Sequence, residues 1–101
     1  MIMTAIYQLQ SGQTFDLDYY MKSHIPLVRK LFGPCGMSNI EVLQGTSSPS
    51  GSAPAKIIAL LHFESEQAVK TALETHGTAV IGDVANFTNA QPSIQFNEVL
   101  T

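Results

Sequence analysis

Lys56-Ile57-Ile58-Ala59-Leu60-Leu61-His62-Phe63 is the most hydrophobic run of the chain, and it does not alternate. A strand with one face on a core and one in water alternates apolar and polar side chains. This run carries apolar side chains on both faces, so both need cover, as in a strand enclosed on two sides. Upstream, Thr46 to Ala55 reads TSSPSGSAPA. Its small residues have nothing to bury, which predicts a mobile exposed hairpin loop, with a lid over a site or a flexible spacer as the functional alternatives. The loop joins the run to a second strand from Met37 to Gly45, with Ile40, Val42 and Leu43 as its apolar content.

Further out, Met3 to Leu9 alternates as a first strand, with Met3, Ala5, Tyr7 and Leu9 pointing one way. Asp16 is a good N-cap for a helix that ends at Gly33-Pro34, and Phe15 can pack back on its first turn. Downstream, Ser65 can cap a second helix with Ala68, Val69, Ala72, Leu73 and His76 as its apolar stripe. Gly77 is expected to end it. A short further helix from Thr78 would turn Val80, Ile81 and Val84 inward. Asn86 to Pro92 reads as a loop, and Ser93 to Leu100 as a last strand with Ile94, Phe96 and Leu100 on one face.

The order strand, helix, two strands, helix, strand is a ferredoxin-like βαββαβ pattern in one domain over residues 1–101. It implies an α+β fold, a four-stranded antiparallel sheet with helices on one face. Those helices cover only one side of the two-sided run. The economical cover for the other side is a second copy of the chain, which predicts a homodimer whose sheets face each other as a dimeric α+β barrel.

A net charge of −3 with scattered acids leaves no basic stripe for nucleic acid. No apolar run approaches the roughly 20 residues of a membrane span. The start, MIMTAIYQLQSG, lacks the basic and long apolar segments of a signal peptide and reads as strand. Cys35 is the single cysteine, so no intrachain disulfide forms, which fits a reducing cytoplasm. Without a secretory signal, the glycosylation pattern Asn86-Phe87-Thr88 reads as coincidence.

The helix from Phe15 to Gly33, FDLDYYMKSHIPLVRKLFG, carries the chemistry. At 100° per residue, Leu17, Met21, His24, Val28 and Leu31 form one stripe. His24 thus lies within the apolar face. An unpaired buried polar group costs roughly 2–7 kcal/mol, so a core partner must satisfy the imidazole or it must face a cavity. Pro26 crowds the carbonyl of Lys22, at a cost of about 3 kcal/mol inside a helix. It falls on the solvent side, which predicts a bent helix, or two helices meeting at His24–Pro26.

Phe15-Asp16-x-Asp18-Tyr19-Tyr20, then His24-Ile25-Pro26-Leu27, then Asp83-Val84-Ala85-Asn86-Phe87-Thr88, and a closing Pro92-x-Ile94-Gln95 together resemble the EthD family. That family is named after a protein encoded alongside ethyl tert-butyl ether degradation genes and belongs to the dimeric α+β barrel superfamily. The resemblance covers nearly the whole chain. The Tyr19-Tyr20 pair departs from it, since many relatives carry tryptophan there. It implies fold and dimer more firmly than chemistry. Some relatives are implicated in dehydration or decarboxylation of aromatic polyketides, and the wider superfamily includes cyclases, monooxygenases, lactone isomerases and haem enzymes.

His24 matches the family's histidine. It would act as general acid or base in a cavity between the first helix and the sheet, or be a core histidine tied to a backbone carbonyl. Tyr20, one turn before it, and Tyr7 can bring hydroxyls to that cavity or simply fill the core. Asp83 can orient His24 or take a proton, or it can brace the loop after it. Asn86 and Phe87, on the matching motif, and His62, in the two-sided strand, complete the candidate substrate-binding set. His62 has a satisfied interface histidine as its plainer reading. No histidine or cysteine pair has metal-ligand spacing, and no Gly-rich phosphate loop or GxSxG elbow occurs, so neither metal nor cofactor is expected. Two functions follow: a cofactor-independent enzyme moving protons on a small hydrophobic or aromatic compound, by isomerisation, dehydration or decarboxylation; or a non-catalytic ligand-binding or accessory dimer in a degradation route. Three converging polar groups in the cavity would favour the first.

Overall fold

The structure, a computed structural model, describes residues 1–101. The hydrophobic run forms β3 (Ile57–Phe63), an inner strand of a four-stranded sheet. Its neighbours are β1 (Ile2–Tyr7) and β2 (Met37–Gln44), and β4 (Ser93–Asn97) lies on the far side of β1, giving the order β2-β3-β1-β4. Every pair is antiparallel. This is the ferredoxin-like α+β fold, with the two hairpin-linked strands β2 and β3 between the helical segments.

Within the chain, burial of β3 alternates despite its uniform hydrophobicity. Ile57, Ala59, Leu61 and Phe63 are buried, while Ile58, Leu60 and His62 are half-exposed. The buried set faces the helices in a core with Met3 and Tyr7 of β1 and Ile40 of β2. The other face carries Ile2 opposite His62, Leu60 opposite Thr4, Ile6 opposite Ile58, and Leu43 on the other side of Ile58. No segment of the chain seals it: Leu43 remains 48% exposed.

The first helix is a composite. α1 (Leu17–Tyr19) starts at Asp16, whose Oδ1 accepts the Tyr19 N–H at 3.0 Å. A π-helical turn follows at Tyr20–His24, and α2 (Ile25–Phe32) continues from it. The cause is local. Pro26 has no N–H to give the Lys22 carbonyl. The ladder widens by one residue just before it, so that the Ile25 N–H reaches back five residues to the Tyr20 carbonyl. The expected break at His24–Pro26 is thus a π turn within one continuous helix, with Pro26 exposed. The widening also corrects the expected stripe. Tyr20 is buried and Met21 is 45% exposed, the reverse of a strict 100° wheel.

A 3₁₀ turn at Gly33–Cys35 leads to Gly36 at φ 107°. A Cβ there would lie 2.8 Å from that of Ala68, so only glycine closes this corner. α3 runs unbroken over Glu66–Gly82, capped by Ser65 Oγ, which accepts the Ala68 N–H at 3.1 Å. The expected stop at Gly77 is therefore corrected. A glycine ends a helix by taking positive φ, and only Gly12, Gly36 and Gly51 do so. Gly77 stays helical and buried, and the next turn packs Val80 against the core. A second correction concerns the C-terminus: β4 stops at Asn97, and Leu100 lies beyond the sheet, 92% exposed. No helix is long and apolar enough to cross a membrane.

Candidate functional site

Between the inner face of the sheet and the helices lies a cavity of about 560 Å³. Met3, Ala5, Ala59 and Leu61 form its floor, α2 one wall through Ile25 and Val28, and α3 another through Leu73, Gly77 and Val80. The segment from Val84 to Pro92 borders it. Its exposed members, together with Ile81 and Ile94, mark the mouth. Thr88 ties this segment to the start of α1: its Oγ1 donates to the Thr14 carbonyl at 2.6 Å, and the Asp16 N–H donates to the Phe87 carbonyl at 2.7 Å.

His24 stands at the inner end, 5% exposed. Its Nδ1 lies 2.9 Å from Asp83 Oδ2. The Tyr19 hydroxyl donates to Asp83 Oδ1 at 2.7 Å, and Asn86 Nδ2 donates to the same oxygen at 2.8 Å. Burial pushes the Asp83 carboxyl up, but the hydrogen bonds from Asn86, His24 and Tyr19 outweigh it, and the net effect is a carboxyl below its ordinary value. Asp83 is thus ionised near neutral pH and can only accept. Nδ1 of His24 must carry the proton that it donates.

The π turn makes this pairing possible. Tyr19 and His24 are five residues apart. On an α-helix, residues so spaced point about 140° away from each other. On a turn closed by i→i+5 bonds they come onto one side, and here each takes one oxygen of Asp83.

With Nδ1 occupied, Nε2 is the free nitrogen. It has no protein partner, yet the chain has no buried side-chain nitrogen or oxygen lacking one. Nε2 is therefore open to the cavity that His24 lines. The same reasoning applies to the hydroxyls of Tyr7 and Tyr20, which also line it. Burial pushes the Tyr7 phenol up to about 12, and burial with the neighbouring Tyr7 raises that of Tyr20 further. Both stay neutral donors. Tyr20 stacks on the His24 ring at 5.5 Å between centroids, and Phe87 packs against that ring at 4.6 Å. The imidazole is held by one hydrogen bond and two rings.

A model of the EthD domain matches residues 12–91. The chain belongs to the EthD family. No curated protein matches it in sequence. Among solved structures, it is similar to an EthD-like protein from Ralstonia eutropha JMP134, with a TM-score of 0.89 and 24% identity over 99% of this chain and 91% of that one. It is also similar to an ethyl tert-butyl ether (EthD) family protein from Bacillus halodurans C-125, with a TM-score of 0.65 and 17% identity over 96% of this chain and 97% of that one.

In this EthD-family protein, three of the residues singled out from sequence, His24, Tyr20 and Tyr7, share the cavity. Asp83 stands behind His24 and contacts it directly. Asn86 and Phe87 are not on the cavity wall: Asn86 holds Asp83, and Phe87 backs the imidazole. They act on the site through other residues rather than by touching a molecule in it. His62 lies on the opposite face of the sheet, where Nε2 is 2.8 Å from Glu41 Oε1. It has no access to this cavity. Tyr19 is the residue that sequence reasoning missed. Its neighbour Tyr20 sits one α-turn from His24, and nothing but the π turn brings Tyr19 level with it.

Proposed function

We propose that this protein is a small dimeric EthD-type enzyme that uses its own side chains for acid/base chemistry on a small hydrophobic or aromatic molecule. One observation carries the reading: an apolar cavity into which His24 Nε2 and two phenol hydroxyls open together. His24 Nε2 is the base. Asp83 positions it, fixes its tautomer and stabilises the imidazolium once the proton arrives, while Tyr19 and Asn86 hold Asp83. Tyr7 and Tyr20 donate to oxygen on the substrate. Isomerisation, dehydration and decarboxylation all begin with such groups.

The second copy covers the open face of the sheet. Ile2, Ile6, Leu43, Ile58 and Leu60 present an apolar patch there, bordered by the His62–Glu41 pair. A two-fold pairing of these faces closes the barrel, and the free thiol of Cys35 suits a cytosolic setting.

The test is comparative depletion. Wild-type protein and His24→Gln are incubated with a metabolite extract and followed by mass spectrometry. The wild type is expected to consume a compound that the variant leaves intact at equal fold content by circular dichroism. A compound held by both and altered by neither would instead support a non-catalytic binding dimer serving a degradation route.

A further inference from the structure

The charge of the cavity narrows the substrate. Tyr7, Tyr20 and His24 are the only titratable residues on its wall, and none of the chain's five lysines and arginines reaches it. An anion entering would lose its hydration with no lysine or arginine to meet it, a penalty that proteins avoid by pairing. The one nearby charge is the Asp83 carboxylate behind His24, which repels anions further. Thr88, Asn89 and Gln91 also line the cavity, and the three titratable groups divide by role. Nε2 accepts a proton, and the two phenols donate hydrogen bonds. Their rings stand 6.0 Å apart, and Tyr20 lies against His24.

We infer that the site takes an uncharged ketone, and that its reaction is proton transfer at the carbon beside the carbonyl, not loss of a carboxylate. This rests on the acid/base reading above. His24 Nε2 removes a proton from the α-carbon. The C–H electron pair becomes the new C=C bond, and the carbonyl π pair moves onto oxygen. Tyr7 and Tyr20 hold that oxyanion by hydrogen bonds while their own protons stay in place, as their raised affinity for protons favours. The imidazolium, stabilised by Asp83, returns the proton to the same carbon or to one conjugated with it. The second course is an isomerisation. Atoms and charge balance without an oxidant or reductant.

Two measurements separate this inference from the reading beneath it. The first is binding of 2-acetylnaphthalene and of 2-naphthoate at pH 8 by calorimetry. The ketone is expected to bind at least tenfold more tightly than the carboxylate. Equal or tighter binding of 2-naphthoate, or no binding of the ketone, would overturn the substrate class whatever the chemistry. The second is exchange of the α-hydrogens of 2-tetralone in D₂O by proton NMR. The wild type is expected to accelerate exchange at least tenfold over buffer. His24→Gln should lose the acceleration, and Tyr7→Phe with Tyr20→Phe should lose most of it while keeping the fold. Ketone binding without accelerated exchange would sink the base role of His24 while leaving the selectivity for uncharged molecules. Acceleration retained in His24→Gln would remove His24 from the proton transfer.

Discussion

Replacing Asp83 with Asn tests the site at the point where its parts meet. The carboxylate accepts three side-chain hydrogen bonds, from His24, Tyr19 and Asn86, and its side chain is 13% exposed. Hydrogen bonds to a charged group contribute about 1.5–3 kcal/mol and neutral ones about 0.5–1.5 kcal/mol. Losing the charge thus weakens the three together by about 3 kcal/mol. Relief from burying a carboxylate offsets part of this, leaving a net loss of about 2 kcal/mol. For a domain of this size that lowers the melting temperature by roughly 8–16 °C. The comparison must be made at equal chain concentration, since any self-association would add to stability. The lowered carboxyl value sets the pH dependence. Its stabilisation is full above the ordinary carboxyl range and disappears as pH falls through the lowered folded value. The wild-type advantage is therefore present at pH 7 and shrinks toward pH 2. Thermal unfolding by circular dichroism at both pH values reads the stability. NMR of ¹⁵N-labelled histidine reads the tautomer, with the proton on Nδ1 in the wild type and a changed Nδ1/Nε2 pattern in the variant. A melting temperature within 2 °C of wild type at pH 7, with the His24 tautomer unchanged, would refute the claim that Asp83 orients the imidazole.

Three further outcomes are expected. All three tyrosines hold their protons more firmly than a free phenol, with Tyr7 pushed up to about 12. Stability should thus be full below pH 10 and fall above it, and phenolate absorbance near 295 nm should stay flat through pH 10 and then rise together with unfolding. An ordinary titration midpoint near 10 in the folded protein would contradict the burial argument. Leu60→Glu places a charge in the middle of the open sheet face, opposite Thr4 and Glu41. Sedimentation velocity should show a folded monomer, and a variant that still dimerises like wild type would exclude this face as the interface. Phe32→Ala removes a fully buried ring packed 5.9 Å from Phe63 and should cost about 3–5 kcal/mol in urea unfolding.

The architecture was legible because each element signals itself locally. Asp16 and Ser65 cap the helices as their side chains allow, and the alternation of Met3, Ala5 and Tyr7 sets the inner face of β1. The central place of β3 follows from its composition. The burial of His24 followed from its position on the apolar face, and its partner Asp83 came from the motif downstream. What failed to show were departures from regular periodicity. A wheel at 100° per residue cannot represent a π turn, so Tyr20 and Met21 exchanged places and Tyr19 went unnoticed. Pro26 in sequence predicts a bend or a junction of two helices, but a proline can also be absorbed by widening the ladder ahead of it. Gly77 was read as a stop because glycine most often ends helices. Its backbone angles, which decide the matter, depend on packing against the cavity and not on neighbouring residues.

The widened turn at Tyr20–His24 has an implication for how such a chain can vary over time. Deleting any one residue between Tyr20 and Ser23 would let the helix tighten to an ordinary spiral. Because Asp16 and Phe87 anchor one end and Val28 and Phe32 the other, the slack would be taken up in the middle. Tyr19 and His24 would then stand four residues apart on an α-helix, about 40° from each other, and both could still reach Asp83. The π turn thus absorbs one extra residue while keeping both side chains on one carboxylate. Loss of one letter between Met21 and Ser23 would therefore spare the pair's shared grip on the carboxylate.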